Sequence, residues 1–512
     1  MPEMPKMRVV CLVATLGGCS LLYDPDNLPG DAQPSPDTGA MIDAHAPVDQ
    51  PTTIDANGLV LETVGPHVLL EGQGTGGSRP AILAITGRNI APDAVVTVIV
   101  TGTTAGDAPM IELDNAYAAR SPHGTSIAVA VTLPVDVGRG DGEIALTVQV
   151  TQAGSAGPIS AQLEGVVTLH TLPELEAAPS DPATLVLYSR VALTAPLSFA
   201  PQAGRAPVVI RAVSSIALAD VHVDANKNVP GPGGNAGGAK GVAGAGPGGG
   251  RPAALLGAGL VTPASGGGYA TAGGAGLPVL GNPNPGGVAA GDELLILPNN
   301  RSSGGGGGGV QPGGGGGGSL ELTAGGTLDV GAITANGGIG GADGLLSGAG
   351  GGGTGGTILL RAGSTATIGK VTANGGAGGD HRNTGQAIAG AGAGGRLRYD
   401  VAMLTGTPEL PPASRAGVSF SRADSDNPLI TGDAQQGIVV AASLGAANVF
   451  DVYVFNADGA TTASSSVTFA APAQQVTPGL SPGYNRICLT PDGRNPLVDP
   501  TLTSCLDMAY VP

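Results

Sequence analysis

The string in this chain that reads most like a catalytic site is Gly-Leu-Ser-Pro-Gly, residues 479–483, which fits the Gly-x-Ser-x-Gly turn that presents a nucleophilic serine. Ser481 fails a physical test. An oxyanion there needs the backbone N–H of the following residue, and Pro482 has none. The six histidines, His45, His67, His123, His170, His222 and His381, are dispersed and never combine with cysteine at a zinc-binding spacing. The densest polar cluster of the glycine-rich stretch is Asp380-His381-Arg382-Asn383. Asp380, His381 and Arg382 are weak ligand-site candidates, and the competing reading is a solvated loop. A polysaccharide-cleaving site needs several carboxylates on one face, and this stretch offers mainly Asp220, Asp224, Asp329 and Asp380. Gly-x-Gly-x-x-Gly matches abound in runs of glycine and carry no nucleotide signal, and Gly233 to Gly241 lacks the Gly-Lys-Ser/Thr ending of a phosphate loop. Arg139-Gly140-Asp141 reads as a polar turn. The chain is therefore expected to be no enzyme and to use no metal or cofactor.

Cysteine supplies the remaining chemistry. Lys6 and Arg8 precede the apolar run Val9 to Leu16, and Leu16-Gly17-Gly18-Cys19-Ser20 follows, the three-part layout of an export signal. The run is too short to span a bilayer, which takes about 20 residues. Leu-Gly-Gly-Cys resembles the lipobox of bacterial lipoproteins. The resemblance implies a signal peptide over residues 1–18, cleavage before Cys19, and lipid on the Cys19 thiol and the new amino terminus. Several acyl chains anchor stably where one is marginal. Ser20, rather than Asp, is similar to lipoproteins sent on to an outer membrane or cell surface. Glu3 and Cys11 depart mildly from the pattern, and an ordinary signal peptide containing cysteine is the alternative. With Cys11 and Cys19 accounted for, Cys488 and Cys505 remain, and an isolated pair in an oxidising compartment reads as a disulfide.

Composition restricts what positions these groups. The 512 residues include 91 glycines and 42 prolines, aromatics are 3% and tryptophan is absent. Without large aromatics, an interior must be built from Val, Ile, Leu and Ala on tightly packed backbone, which favours β architecture. The formal charge of -17 opposes nucleic acid as a partner, since such binding rests on Lys and Arg neutralising phosphates. The expected partners are instead the membrane, through the lipid, and a cell-surface or extracellular polysaccharide or protein.

Residues 19–57, rich in Asp and Pro, read as a disordered acidic tether. Residues 58–172 carry short alternating runs such as Ala81 to Ile90, Val95 to Gly102 and Glu143 to Thr151, spaced as in a β-sandwich. Thr86, Gly87 and Asn89 in this stretch resemble the IPT/TIG immunoglobulin-like domains, with Ile90 where an aromatic is usual. Residues 416–512 form a second all-β module, with Asn456 to Gly459 as a hairpin turn. Leu480, Gly483 and Asn485 resemble the last strands of bacterial Ig-like domains.

Between them, residues 187–401 repeat themselves. GSLELTAGGTLDVGAITANGGIGG (Gly318 to Gly341) and GTILLRAGSTATIGKVTANGGAGG (Gly356 to Gly379) share one grammar, and Pro207 to Asn226 is a looser copy. Leu320, Leu322, Leu328, Val330 and Ile333 correspond to Ile358, Leu360, Ala366, Ile368 and Val371, an apolar face on successive strands. Gly325, Gly331, Gly363 and Gly369 are placed to turn corners or to let backbones approach. Asn336 and Asn374 are expected to align as a ladder from rung to rung. The glycine runs between copies suit either flexible linkers or extended polyglycine layers packed on the solenoid. This body resembles glycine-rich bacterial surface proteins such as the PGRS part of the PE-PGRS proteins, without a PE domain. The expectation is an all-β chain: two Ig-like β-sandwiches flank a glycine-rich parallel β-helix or solenoid. A lipid-anchored structural or adhesive role is expected, with a carbohydrate-binding or carbohydrate-active β-helix as the alternative.

Overall fold

The computed structural model describes residues 58–100, 111–135, 142–176, 187–257, 260–278, 282–290, 302, 304–306, 311–342, 348–379, 388–406, 408–420, 429–442, 448–469, 473–491 and 505–512. These residues form strands and extended segments, with no helix among them.

β1 (Val60–Gly65), β2 (Val68–Leu70), β3 (Ala81–Arg88), β4 (Val95–Val100), β5 (Glu112–Arg120), β6 (Ser126–Thr132), β7 (Gly142–Gly154) and β8 (Gly157–Thr171) make two sheets, ordered β1-β3-β6-β5 and β2-β8-β7-β4. Their facing sides close a core that includes Leu61, Leu83, Ile85, Val129, Leu146, Val148 and Leu169. β3 breaks alternation. Ala81 through Ile85 are all buried, because Ile82 and Ala84 on its other side enter the core of the C-terminal module. An unbroken apolar run is what a strand covered on both faces requires. The Thr-Gly-x-Asn stretch has a local explanation: a Cβ on Gly87 would lie 2.1 Å from the Val60 carbonyl oxygen. Asn89 adopts φ 60° and donates to the Gly58 carbonyl at 2.7 Å. Ile90 is buried in the core.

The central body contains β9 (Leu187–Tyr188), β10 (Val191–Leu193), β11 (Leu197–Ser198), β12 (Val208–Ala212), β13 (Ile216–His222), β14 (Ala254–Gly257), β15 (Leu260–Thr262), β16 (Ser319–Ala324), β17 (Leu328–Thr334), β18 (Thr357–Thr372), β19 (Arg396–Thr405) and β20 (Ser414–Ala416). Apart from the β14–β15 hairpin they form one parallel sheet, bent so that each rung contributes to two walls. The first wall stacks β9, β12, β16, the start of β18, the start of β19 and β20. The second stacks β10, β13, β17 and the ends of β18 and β19. Leu320 pairs with Ile358, Leu322 with Leu360, Leu328 with Ala366, Val330 with Ile368 and Ile333 with Val371, the correspondence that the repeated sequence predicts. These side chains fill one continuous core with Val208, Ile210, Leu218 and Val221 below them and Leu397 above.

The described parts of the glycine runs are ordered layers. In residues 313–318, Gly313 and Gly316 donate to the carbonyls of Gly238 and Asn235, Gly314 and Gly317 to those of Gly351 and Thr354, and Gly315 and Gly318 to those of Lys227 and Val223, all at 2.7–2.9 Å. Every third residue thus serves the same neighbour. That is the periodicity of an extended helix with three residues per turn and no internal hydrogen bonds, the polyproline II geometry. Residues 350–356 behave alike: Gly350, Gly353 and Gly356 donate to Gly341, Gly338 and Ala335, while Gly352 and Gly355 donate to Gly390 and Ala393. The rungs that begin with β12, β16 and β18 therefore close through glycine-rich arms, and arms of successive rungs bond sideways into a lattice. Side chains are excluded there: a Cβ on Gly353 would sit 2.0 Å from the Gly315 carbonyl oxygen, and one on Gly266 1.8 Å from that of Ala391. Gly331, Gly363 and Gly369 likewise serve close approach, each facing a backbone carbonyl oxygen of the rung beneath, and neither they nor Gly325 has a positive φ.

β21 (Val418–Phe420), β22 (Ile430–Thr431), β23 (Ile438–Ala442), β24 (Asn448–Phe455), β25 (Thr461–Phe469), β26 (Ala473–Val476), β27 (Gly483–Pro491) and β28 (Cys505–Tyr510) form sheets ordered β21-β23-β26 and β22-β28-β27-β24-β25. Their core, with Phe450, Val452, Val454, Ile487 and Met508, also takes in Ile82, Ala84 and Ala128. The modules at the two ends of the described chain thus dock on one another, and the solenoid, inserted between them in sequence, meets the first module where the Thr327 N–H donates to the Gly76 carbonyl. His67 meets Asp458 across this junction at 3.2 Å.

Candidate functional site

The two walls of the solenoid differ on their outer sides. In the middle of the first wall the outward residues are covered: Glu321 is 4% exposed, Thr323 0%, Leu359 1%, Arg398 5% and Asp400 5%; Arg211 below is half-buried and Arg415 above is exposed. A ladder of alternating charge climbs this wall. Arg211 Nε lies 3.0 Å from Glu321 Oε1, Arg361 Nη1 is 3.9 Å from the same oxygen, Arg361 Nε is 3.6 Å from Asp400 Oδ2, and Arg398 forks onto both Asp400 oxygens at 2.7 Å. Burial pushes the Glu321 carboxyl up, but the guanidinium groups of Arg211 and Arg361 outweigh it and hold the group below the usual carboxylate range. At the top of the ladder the chain turns into the C-terminal module, where Gly417 presses against Asp400 and Arg398 with no room for a Cβ.

The second wall is open. Ala217, Asp329, Gly331, Thr367, Gly369, Lys370 and Met403 face solvent. Thr367 bonds Thr405 of the next rung at 2.9 Å, and Lys370 pairs with Glu409 at 2.9 Å. Where this wall meets the glycine arms, Asp224 Oδ1 accepts the Asn336 N–H at 2.6 Å, and Asn336 Oδ1 accepts the Asn374 N–H at 2.9 Å. Asp224 Oδ2 accepts the Thr334 hydroxyl at 2.5 Å, and Thr334 Oγ1 is 2.9 Å from His222 Nδ1. The expected asparagine ladder is present, and side-chain oxygens bind backbone N–H groups rather than other amides. Asp224 is its first step.

Among the described residues, the carboxylates that a polysaccharide-cleaving site would need are not gathered. Asp220 stands in the column of Ala332 and Lys370, Asp329 in that of Ala217 and Thr367, and Asp224 is engaged in the ladder. Asp380, His381, Arg382, Cys19 and the Arg139-Gly140-Asp141 turn lie outside the described residues. No group of His, Cys, Asp and Glu able to hold a metal occurs among the described residues.

In the C-terminal module Cys488 and Cys505 form a disulfide between directly opposed residues of β27 and β28. Ser481 sits in a turn that the fully buried Asn485 organises: its side chain accepts the Ser481 N–H at 2.9 Å and donates to the Ser481 and Gly483 carbonyls. Gly483 has φ 91° and Leu480 enters the core, so the Leu-x-x-Gly-x-Asn spelling describes a structural turn. Nearby, Asp507 accepts from the Tyr484 hydroxyl at 2.6 Å and from Arg486 at 2.8 Å. Burial drives the Tyr484 phenol well above its ordinary value; Arg486 pulls the other way, Asp507 adds to the rise, and burial prevails. Burial also raises the Asp507 carboxyl, but Arg486 and the Tyr484 hydroxyl hold it low.

The charge ladder escaped sequence reading because its members come from four rungs, although the rung register alone aligns Arg211, Thr323, Arg361 and Asp400. No protein-family model and no curated protein matches the chain.

Proposed function

We propose that this chain is an exported, lipid-anchored, non-catalytic protein of a bacterial surface, with a structural or adhesive role. The observation that carries the reading is the contrast between the walls: polar groups of the covered wall and of the ladder are spent on tying rungs together, and the open wall presents a mixed surface of Ala217, Asp329, Gly331, Thr367, Gly369, Lys370 and Met403. The amino-terminal layout ending in Leu-Gly-Gly-Cys19 supports lipid attachment, and the acidic segment after it supports a tether. The immunoglobulin-like resemblances of the two end modules support a binding or scaffolding part and suggest no reaction. The separation of Asp220, Asp224 and Asp329 gives a carbohydrate-active reading no support. The test is metabolic labelling with a radioactive fatty acid in a bacterial host, followed by fractionation. Labelled, membrane-associated wild type and unlabelled, released Cys19→Ala support the proposal. Equal fractionation of both without label overturns the anchor.

A further inference from the structure

Sheet edges are where strands recruit other strands, and folds guard them with charge, bulges or side-chain plugs. Two long edges here are guarded. β5 carries Glu112, Asp114 and Arg120 and breaks register between Asp114 and Ala119. β4, the apolar string Val-Val-Thr-Val-Ile-Val, is plugged: the Asn115 amide accepts the Val96 N–H and donates to the Val96 carbonyl, both at 3.0 Å, and Arg120 caps the Ala94 carbonyl at 2.7 Å. Among the described residues β25 is guarded only by a register break beside Thr462, at its first residues, and runs regularly from Ala463 onward. It is nine residues long, Thr-Thr-Ala-Ser-Ser-Ser-Val-Thr-Phe, contains neither charge nor proline, and among the described residues pairs with β24 only. Thr461, Thr462, Ser464, Ser465, Ser466 and Thr468 are exposed.

We infer that β25 is a homodimerisation edge, pairing antiparallel with β25 of a second copy about a twofold axis at Ser465. From Thr462 to Thr468 the sequence is self-complementary about that residue, and only the outermost pair, Thr461 and Phe469, departs from it. Antiparallel pairing sets Thr462 against Thr468, Ala463 against Val467, Ser464 against Ser466 and Ser465 against itself, so hydroxyl meets hydroxyl and apolar meets apolar. Ala463 and Val467 already pack on the module core, so pairing continues the same apolar face from one molecule into the next. The partner is a second copy for reasons of charge. A chain of net charge -17 repels its own kind, and this edge is a place where two copies meet with no like charges opposed. Asp451 on β24, held by Ser466 at 2.5 Å, stays one strand back from the junction. An edge of this length makes a small interface of the weak, reversible class.

The test is sedimentation equilibrium of the full chain in nonionic detergent, with Ser465→Lys, Ser465→Glu and their mixture. Expected are a wild-type mass that rises towards the dimer with concentration, monomeric single variants whose circular dichroism matches wild type, and restored dimer on mixing, since only a residue that faces itself turns repulsion into attraction this way. Wild type that stays monomeric at the highest soluble concentration overturns the inference. Dimers that survive both single substitutions place the contact elsewhere and overturn it equally.

Discussion

The β walls and the glycine arms belong to the same rungs yet cohere by opposite means. In the walls, backbone hydrogen bonds run between rungs and the interior is filled by columns of Val, Ile and Leu, so stability comes from apolar area removed from water. In the arms the interior is mostly backbone, with a few enclosed side chains such as Thr354, Ala349 and Ala389. Each residue donates to a neighbour set by its position in a three-residue turn, and segments approach so closely that a Cβ would overlap a carbonyl. Two solutions can share one repeat because both need only that each copy lie in register on the last. The wall tolerates exchange of one aliphatic residue for another, as in the column Leu328, Ala366, Leu404. The arm tolerates none where a Cβ would overlap a neighbouring carbonyl, as at Gly353, although Gly316, Thr354 and Ala393 exchange at an equivalent enclosed position.

The largest effect expected follows from that contrast. Gly353→Val places a branched side chain against the Gly315 backbone, which cannot rotate away as a side chain would. We expect a loss of more than about 4 kcal/mol, beyond ordinary overpacking, read as loss of the folded state in thermal or urea unfolding. Gly241→Ala is the control: its φ is 65° with nothing near, so only backbone strain is added, about 1 kcal/mol. Equal effects from the two would mean that the arms are not packed. Next in size is Leu322→Ala, fully buried between Ile210 and Leu360, with an expected cost of about 2–5 kcal/mol from lost burial and the cavity. Hydrogen exchange sharpens the comparison: if walls and arms unfold as one unit, Leu322→Ala accelerates exchange in residues 313–318 as much as in β16.

What was legible in the sequence follows the same division. The walls announce themselves through alternation, and the register from Leu320 to Ile333 onto Ile358 to Val371 could be read by aligning two strings. The glycine runs were ambiguous, because the composition that permits a packed lattice also permits a loose linker, and only the hydrogen-bond partners of Gly313 to Gly318 distinguish them. The docking of the end modules left one trace, the unbroken apolar run from Ala81 to Ile85. Alternation in the C-terminal module gave no sign that its core reaches Ile82. Asp224 looked like a spare carboxylate because its partners, Thr334 and Asn336, lie more than a hundred residues away in sequence.

The charged ladder on the covered wall tests how the solenoid is held against its surroundings. Glu321→Gln keeps the shape and removes the charge shared by Arg211 and Arg361, so the cost is expected at about 3 kcal/mol, that of breaking a buried pair. The native Glu321 and Asp507 carboxyls are both held below their unfolded values, so the unfolded chain takes up protons first as pH falls. Their contribution is complete above the unfolded pKa of about 4 and is lost as pH falls through the depressed folded values. A urea midpoint that drops below pH 4 in wild type, with a smaller drop in Glu321→Gln, is the expected pattern. The same drop in both would remove Glu321 from the account.

The smallest effect expected lies where wall meets arm. Asn336 gives one side-chain oxygen to the Asn374 N–H and its own N–H to Asp224, and it is half-buried, so water can replace what Asn336→Ala removes. A cost of about 1 kcal/mol is expected, the ordinary net worth of a hydrogen bond. Asn336→Asp separates the two possible reasons for it. Aspartate retains the acceptor, and the ladder already begins with one at Asp224, so if acceptance is what matters its stability returns towards wild type. If the column works through the amide donor, which reaches Thr372 only at 3.4 Å, Asn336→Asp is as damaging as alanine, and the ladder is held by a weaker contact than its geometry indicates.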